Sequence, residues 1–236
     1  AGVPLRAVIC LSAYKKLPGL YNLGVLVATL DQSDGGAQGR FDAVGVSFDN
    51  ALRLTRDALS RCDDGELFLQ YRASESFGFD DGRLKTADYS TDKGFGLRGV
   101  SGEMTGFAHA NDISEAALTR AAQTLRLLDP SAAAPAPAPA RTNRHLYTDA
   151  NPLELVPFAE KVALCAQIDA AARARDPRVA QVSVNLAGSW SVIEIIRPDG
   201  FTASDIRPLV RLNVSVILEE NGRRESGTFG IGGRYL

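Results

Sequence analysis

The sequence predicts an α+β fold in which curved antiparallel β-sheet meanders carry helices packed on one face. Three observations lead there. From Gly65 onward, Leu67, Leu69, Tyr71 and Ala73 alternate with Phe68, Gln70, Arg72 and Ser74, the two-residue period of a strand with one face buried. Asp-Gly and Gly-containing steps recur between apolar runs, and such short turns join antiparallel strands only. Amphipathic helical segments precede or follow these strand-rich stretches, so each sheet unit has a helix available to cover one face.

The elements follow in order. Asp49 to Arg61 places Leu52, Leu54, Ala58 and Leu59 at helical spacing, with Asp49 or Asn50 available as N-cap. Asp80-Asp81-Gly82 is a hairpin turn, since Asp-Gly tolerates positive φ. Further turns are expected at Asp92-Lys93-Gly94 and Ser101-Gly102-Glu103, separating strands at about 83–90, 95–100 and 104–110. Ser114 caps a helix running to Leu128, whose apolar face holds Ala117, Leu118, Ala121, Leu125 and Leu128.

Ser131 to Ala140 (SAAAPAPAPA) cannot sustain a hydrogen-bonded ladder, because each proline lacks an N–H, and it reads as a semi-rigid spacer. Asn151 to Arg175 is an Ala-rich helix opened by Pro152 and stopped by Asp176-Pro177. Strands are then expected at about 179–187, 190–197, 200–205 and 209–219, with Pro198-Asp199-Gly200 and Glu220-Asn221-Gly222 as turns and Arg223 to Phe229 returning antiparallel. Asp81-Gly82 and Asp199-Gly200 stand at corresponding places in the two halves, which suggests an internal duplication. The domain organisation is thus residues 1–45 unassigned, 46–130 a first helix-plus-sheet unit, 131–142 the linker, and 143–236 a second such unit.

Composition narrows the function. Of 236 residues, 26 are Lys or Arg and 28 are Asp or Glu, a net charge of −2 that argues against a nucleic-acid partner held by bulk positive charge. Three widely spaced cysteines, Cys10, Cys62 and Cys165, suggest neither a disulfide framework nor a cysteine zinc site, and point to a reducing compartment. The longest apolar run, Leu17 to Leu30, is interrupted by Pro18, Gly19, Asn22 and Gly24 and falls short of the roughly 20 residues a spanning helix needs. No membrane partner is expected. A chain that starts at Ala1 is expected to be processed, excised or a fragment.

No phosphate loop, dinucleotide fingerprint or nucleophile elbow is present. His109 shares a strand face with Phe107 and reads as structural; His145 lies in a polar, Arg-containing loop; Cys165 behaves as a small hydrophobe on the long helix. Asp80, Asp81, Asp199, Glu219 and Glu220 all fall at turns, where they cap or solvate the chain and do not form an acid–base pair. Trp190, Tyr71 and Tyr89 read as core or cross-strand aromatics. The most unusual stretch is Gly227 to Tyr235 (GTFGIGGRY). Its bare backbone at Gly230, Gly232 and Gly233 makes these three the candidate peptide-binding residues, an edge that could accept an extended peptide by strand addition. The alternative is a flexible exit from the domain.

Three stretches resemble the TldD/PmbA family: Gly94 to Ala110 (GFGLRGVSGEMTGFAHA), Asp205 to Ile217 (DIRPLVRLNVSVI), and Gly222 to Gly227 (GRRESG) leading into Gly230 to Arg234 (GIGGR). The last favours the TldD branch over the PmbA branch. The likeness runs from about Phe48 to the C-terminus, and residues 1 to about 45 match nothing in the family. The resemblance implies a cytoplasmic zinc metalloprotease that works as a complex of TldD with a TldE/PmbA-like subunit and cleaves short or unfolded peptides. In that family a His-Glu-x-x-x-His helix and a distant Cys hold zinc, with the glutamate activating water. This sequence has no His-Glu pair. The family places that motif beyond a Gly-rich segment such as Gly227 to Arg234, so the resemblance implies an N-terminal portion with no catalytic residue and no zinc ligand of its own, inactive alone. A metal-free TldE/PmbA-like partner subunit, or a peptide-binding interaction module, is the alternative.

Overall fold

The computed structural model describes residues 46–126 and 146–234. Helix α1 (Phe48–Leu59) leads into strands β1 (Asp64–Asp80), β2 (Arg83–Ser101) and β3 (Met104–Ala110), followed by α2 (Glu115–Leu125). The second half opens with α3 (Pro152–Leu155) and α4 (Phe158–Arg175) and continues through β4 (Val179–Ile196), β5 (Thr202–Glu220) and β6 (Arg223–Gly233). All six strands form one antiparallel sheet in the order β3-β2-β1-β4-β5-β6. That order is unchanged by a two-fold rotation normal to the sheet between β1 and β4. The first meander turns at Asp81-Gly82 and Gly102, the second at Gly200 and Asn221-Gly222, all with positive φ. These are the Asp-Gly and Gly turns read from the sequence, and the same element order does recur. The expected Leu17–Leu30 run, the Ser131–Ala140 spacer, Cys10 and His145 lie outside the described residues.

The strands are fewer and longer than expected, and each discrepancy has a local cause. Asp92-Lys93-Gly94 is not a turn; β2 runs straight through it, with Lys93 opposite Tyr71 and Gly94 opposite Gln70. Gly94 has no positive φ and serves another purpose, since a Cβ there would lie 2.7 Å from the carbonyl oxygen of Ala110, where the chain leaves β3. Strand β4 likewise continues through Gly188, and β5 through Pro208. Proline is tolerated where its missing N–H faces away from a neighbouring strand. The β5–β6 ladder accordingly ends at Val210 and Gly233, just short of Pro208.

The helices differ at their ends. Ser47, not Asp49 or Asn50, caps α1, its Oγ accepting from the Asn50 N–H. Ser114 caps α2 as expected, accepting from the Ala117 N–H. The expected helix from Asn151 to Arg175 is broken in two: Val156, held extended as residues before proline are, and Pro157 separate α3 from α4.

Both helical groups cover the same sheet face. Odd-numbered residues of β1 (Leu67, Leu69, Ala73, Phe77, Phe79) and even-numbered residues of β4 (Val182, Val184, Leu186, Trp190, Val192, Ile196) point into it and are buried. At one end they meet α1 and α2 in a cluster with Leu54, Leu59, Leu118 and Leu125. At the other they meet α4 through Cys165 and Ile168. Burial pushes the Cys165 thiol up to about 11, so it is a neutral hydrophobe at physiological pH. Trp190 packs edge-on against Tyr71, as expected of a core aromatic. Tyr89 does not: it is 64% exposed on the outer edge of β2.

The turn carboxylates hold the sheet's ends. Asp80 accepts from Ser183 Oγ at 2.6 Å and from Gln181 Nε2 at 3.1 Å, tying β1 to β4, and these hydrogen bonds hold its pKa below the usual carboxylate value. Asp176, beyond α4, accepts from the Arg178 guanidinium at 2.7 and 3.0 Å and from the Arg178 N–H, which holds it down to about 2. A carboxyl with a depressed folded-state value stabilises the fold above its unfolded value of 3.8, and that contribution is lost as pH falls from there through about 2. Urea midpoints measured between pH 5 and pH 2 are therefore expected to fall more steeply for the parent chain than for Asp176→Asn; parallel curves would refute this linkage.

Candidate functional site

The three glycines singled out in the sequence lie on β6, the outer strand on one side of the sheet. Gly230 stands opposite Asn213 and Gly232 opposite Arg211, both on the face that the helices leave uncovered, while Gly233 stands opposite Val210 on the helix-covered side. Their bare backbones first accommodate β5. A Cβ at Gly230 would sit 2.8 Å from Asn213 Oδ1, and one at Gly232 would sit 2.9 Å from the Val210 carbonyl oxygen. The close approach read from the composition is thus made, at least on the inner side, by the neighbouring strand of the same sheet. The outer edge of β6 pairs with no other strand among the described residues.

Gly233 also borders a cavity of about 70 Å³ on the helix side, between α3, the start of α4, and strands β4 and β5. Leu155, Val156, Leu164, Leu186 and Pro208 make it largely apolar. Its charged members are Lys161 and Glu75. Lys161 Nζ donates to Glu75 Oε1 and to the Leu153 carbonyl, each at 2.6 Å, with the side chains only 7% and 13% exposed. One ammonium therefore caps a carbonyl at the end of α3, joins α3 to α4, and pins both to β1. The Phe77 ring lies 5.9 Å from the same nitrogen. Gly188 is needed beside this pair, because a Cβ there would come within 2.7 Å of Leu153 Cδ2.

Sequence inspection missed this pair, although a signal was present. Lys161 falls four residues before Cys165 and seven before Ile168, on the apolar stripe of α4, and Glu75 falls between Ala73 and Phe77 in the inward phase of β1. Two opposite charges on the inward faces of two elements are a pairing signal. A third inward charge, Glu194 on β4, hydrogen-bonds Ser204 Oγ and is pushed up by burial. Arg197, just past β4, reaches Asp64 at 2.8 Å.

The other sequence candidates are scattered. His109 lies on β3 opposite Gly96, on the uncovered face, its ring stacked on Phe107 with centroids 5.6 Å apart. Cys62 and Cys165 lie in different clusters. Asp199 accepts from the Phe201 N–H at 2.8 Å, a turn-capping role. Glu219 pairs with Arg224 and Glu220 with Arg178. Among the described residues no three of His, Cys, Asp and Glu come together as metal ligands. The zinc implied by the family resemblance finds no ligand set among the described residues.

A six-stranded open antiparallel sheet with helices along one face defines a mixed α+β architecture shared with solved structures of low sequence identity. A protein from Bacteroides thetaiotaomicron named as a modulator of DNA gyrase superimposes with a TM-score of 0.60 at 16% identity, covering 80% of this chain and 45% of that one. TldE from Thermococcus kodakarensis superimposes with a TM-score of 0.53 at 15% identity, covering 79% and 42%. In sequence, residues 65–129 match the PmbA/TldA metallopeptidase domain 1 and residues 151–235 match the PmbA/TldA metallopeptidase central domain. The chain is 40% identical over 182 residues to the metalloprotease TldD homolog of Haemophilus influenzae, covering 73% of this chain and 37% of that protein. It is 40% identical over 174 residues to the metalloprotease TldD homolog of Buchnera aphidicola subsp. Schizaphis graminum, covering 73% and 36%. The chain belongs to the TldD/PmbA metallopeptidase family. It spans a little over a third of the length of these curated relatives.

Among the described residues no helix is long and apolar enough to cross a membrane.

Proposed function

We propose that these residues are the N-terminal, non-catalytic portion of a TldD-like zinc metalloprotease that processes short unfolded peptides in the cytoplasm together with a TldE/PmbA-like subunit. The observation that carries this reading is the 40% identity to TldD homologs, set over two consecutive family domains and only about 37% of a relative's length. In this reading residues 46–130 and 143–236 are two sheet units flanking the 131–142 linker, residues 1–45 stand outside them, and the zinc ligands belong to sequence this chain lacks. Gly230, Gly232 and Gly233 on the β6 edge are the peptide-contacting residues, placed where an extended substrate can add a strand.

The test uses the full-length protein together with its TldE/PmbA-like subunit. Peptide cleavage should disappear on adding a chelator and return with zinc, while the 236-residue chain alone cleaves nothing. Cleavage that ignores the chelator would sink the protease reading. Peptide addition should slow amide hydrogen exchange along residues 226–233, and unchanged exchange there would remove the edge assignment without touching the chemistry. The fold shared with TldE favours, as a second reading, a metal-free partner subunit. A full-length sequence without His-Glu-x-x-x-His would decide for it.

A further inference from the structure

Near the end of β4 a carboxyl group is set among apolar side chains. Glu194 is 1% exposed, on the helix-covered face. Leu69 stands opposite it on β1, Phe95 beyond Leu69 on β2, and Val192 and Ile196 flank it along its own strand. All four are buried members of the cluster that seats α1 and α2 on the sheet. One carboxyl oxygen, Oε2, hydrogen-bonds Ser204 Oγ on the neighbouring strand β5. The other, Oε1, is buried with no hydrogen-bond partner among the described residues.

The elements around this carboxyl offer it no counter-charge. On the same face, β1 presents Leu67, Leu69 and Tyr71, and β5 presents Thr202, Ser204 and Ile206, so Tyr71 is the one titratable neighbour on these strands. Lys93 of β2 lies opposite Tyr71 and is exposed. The buried residues of α1 and α2 are uncharged. The charged residues Asp49, Arg53, Arg56 and Asp57 of α1, and Glu115 and Arg120 of α2, are exposed. Arg53 pairs with Asp57 and Glu115, and Arg56 Nε donates to the Pro198 carbonyl at 3.1 Å. Burial therefore favours the neutral acid and pushes the Glu194 carboxyl above its ordinary value of 4.5. Ser204 is exposed, so a single hydroxyl separates the buried carboxyl from water.

We propose that Glu194 is a proton-operated latch for the α1 end of the helix-covered face. With its proton in place, Oε2 donates to Ser204 Oγ, and the carboxyl is a neutral part of the cluster. When that proton passes to water by way of Ser204, an uncompensated carboxylate is left among Leu69, Phe95, Val192 and Ile196, and the cluster opens locally to hydrate it. Helix α1, whose inner face lies in this cluster, loosens, while α4, seated in the separate cluster around Cys165 and Ile168, stays packed. The closed form holds the proton more tightly than the open form. The seat of α1 is therefore most secure below pH 4.5 and is weakened as pH rises through the raised folded-state value. The latch does not depend on any peptidase activity.

The experiment is amide hydrogen exchange of the 236-residue chain between pH 5 and pH 8, expressed as protection factors so that the intrinsic pH dependence of exchange drops out. Protection along Phe48–Leu59 is expected to fall as pH rises, by up to about tenfold per pH unit, the limit for release of one proton. Protection along Phe158–Arg175 should hold. Glu194→Gln cannot ionise and keeps a group able to bond Ser204, so its α1 protection should stay level over the same range. Parallel profiles for the parent and Glu194→Gln would overturn the proposal, and so would α4 losing protection in step with α1. A measurement on the parent alone guards against a variant that fails to fold. Among the carbon-13 signals of labelled glutamate carboxyls, one should titrate above 4.5, over the pH range in which α1 loosens. If every glutamate carboxyl titrates at or below 4.5, there is no latch.

Discussion

Replacing Lys161 by methionine is expected to cost the fold about 3–5 kcal/mol, the range for removing one partner of a buried ion pair. The reason is the Glu75 carboxylate, which would remain buried with its ammonium gone. The Leu153 carbonyl would lose its donor in the same step, freeing the short helix before the Val156–Pro157 break. Burying unpaired charge costs more than the pair itself contributes, so the double variant Lys161→Met with Glu75→Leu should recover most of the loss. Equilibrium urea unfolding of the two single variants and the double variant forms the cycle. A double variant no more stable than Lys161→Met alone would show that the residues act independently and that the ion pair is not the staple between the two halves.

Trp190→Ala is expected to cost a similar amount, about 3–5 kcal/mol, as truncations of large buried aromatics do. Trp190 sits on the helix-covered face, directly opposite Ala73 and Pro208 in its two neighbouring strands. Its indole N–H donates to the Asp149 carbonyl at 3.2 Å, holding down the chain that leads into α3. Ala73, directly opposite, is small, and the Tyr71 ring packs edge-on against the indole, so truncation leaves a void in the covered face. Trp190→Phe keeps most of the volume and loses the hydrogen bond, and should cost about 1–2 kcal/mol, the usual range for one buried hydrogen bond plus a small void. Thermal or urea midpoints of the two variants that coincide would show the indole N–H, not its bulk, to be the source of the effect.

How legible these features were depends on the range of the forces that make them. The α+β class, the turns at Gly82, Gly102, Gly200 and Gly222, and the doubled order of elements are all readable in residues close together along the chain. Positive φ and hairpin closure are set within four residues, and a two-residue apolar alternation is set within a strand. The failures at Asp92-Lys93-Gly94 and at the 151–175 helix have the same origin. A glycine can serve a turn or a close backbone approach, and Gly94 serves the second because Ala110 passes over it, information held in a strand sixteen residues away. Pro157 was visible, but its break competed with a strong run of helix formers.

The candidate site divides the same way. The glycines of β6 stand out in the sequence by composition, yet the strand that approaches them is β5. The pairing of Lys161 with Glu75 spans 86 residues and was not found, although each residue announced itself as a charge on an inward face. The sequence by itself determined the class of fold, the turn chemistry, the absence of a His-Glu pair and the likeness to a metallopeptidase family. Only the tertiary structure decided that β1 and β4 lie side by side, that Lys161 of α4 meets Glu75 of β1 on the helix-covered face, and which stretches of edge remain open. Turns and periodicity are local backbone energetics that each segment carries with it. Ion pairing and edge exposure depend on which strands become neighbours, and that is settled by burial of the whole helix-covered face at once.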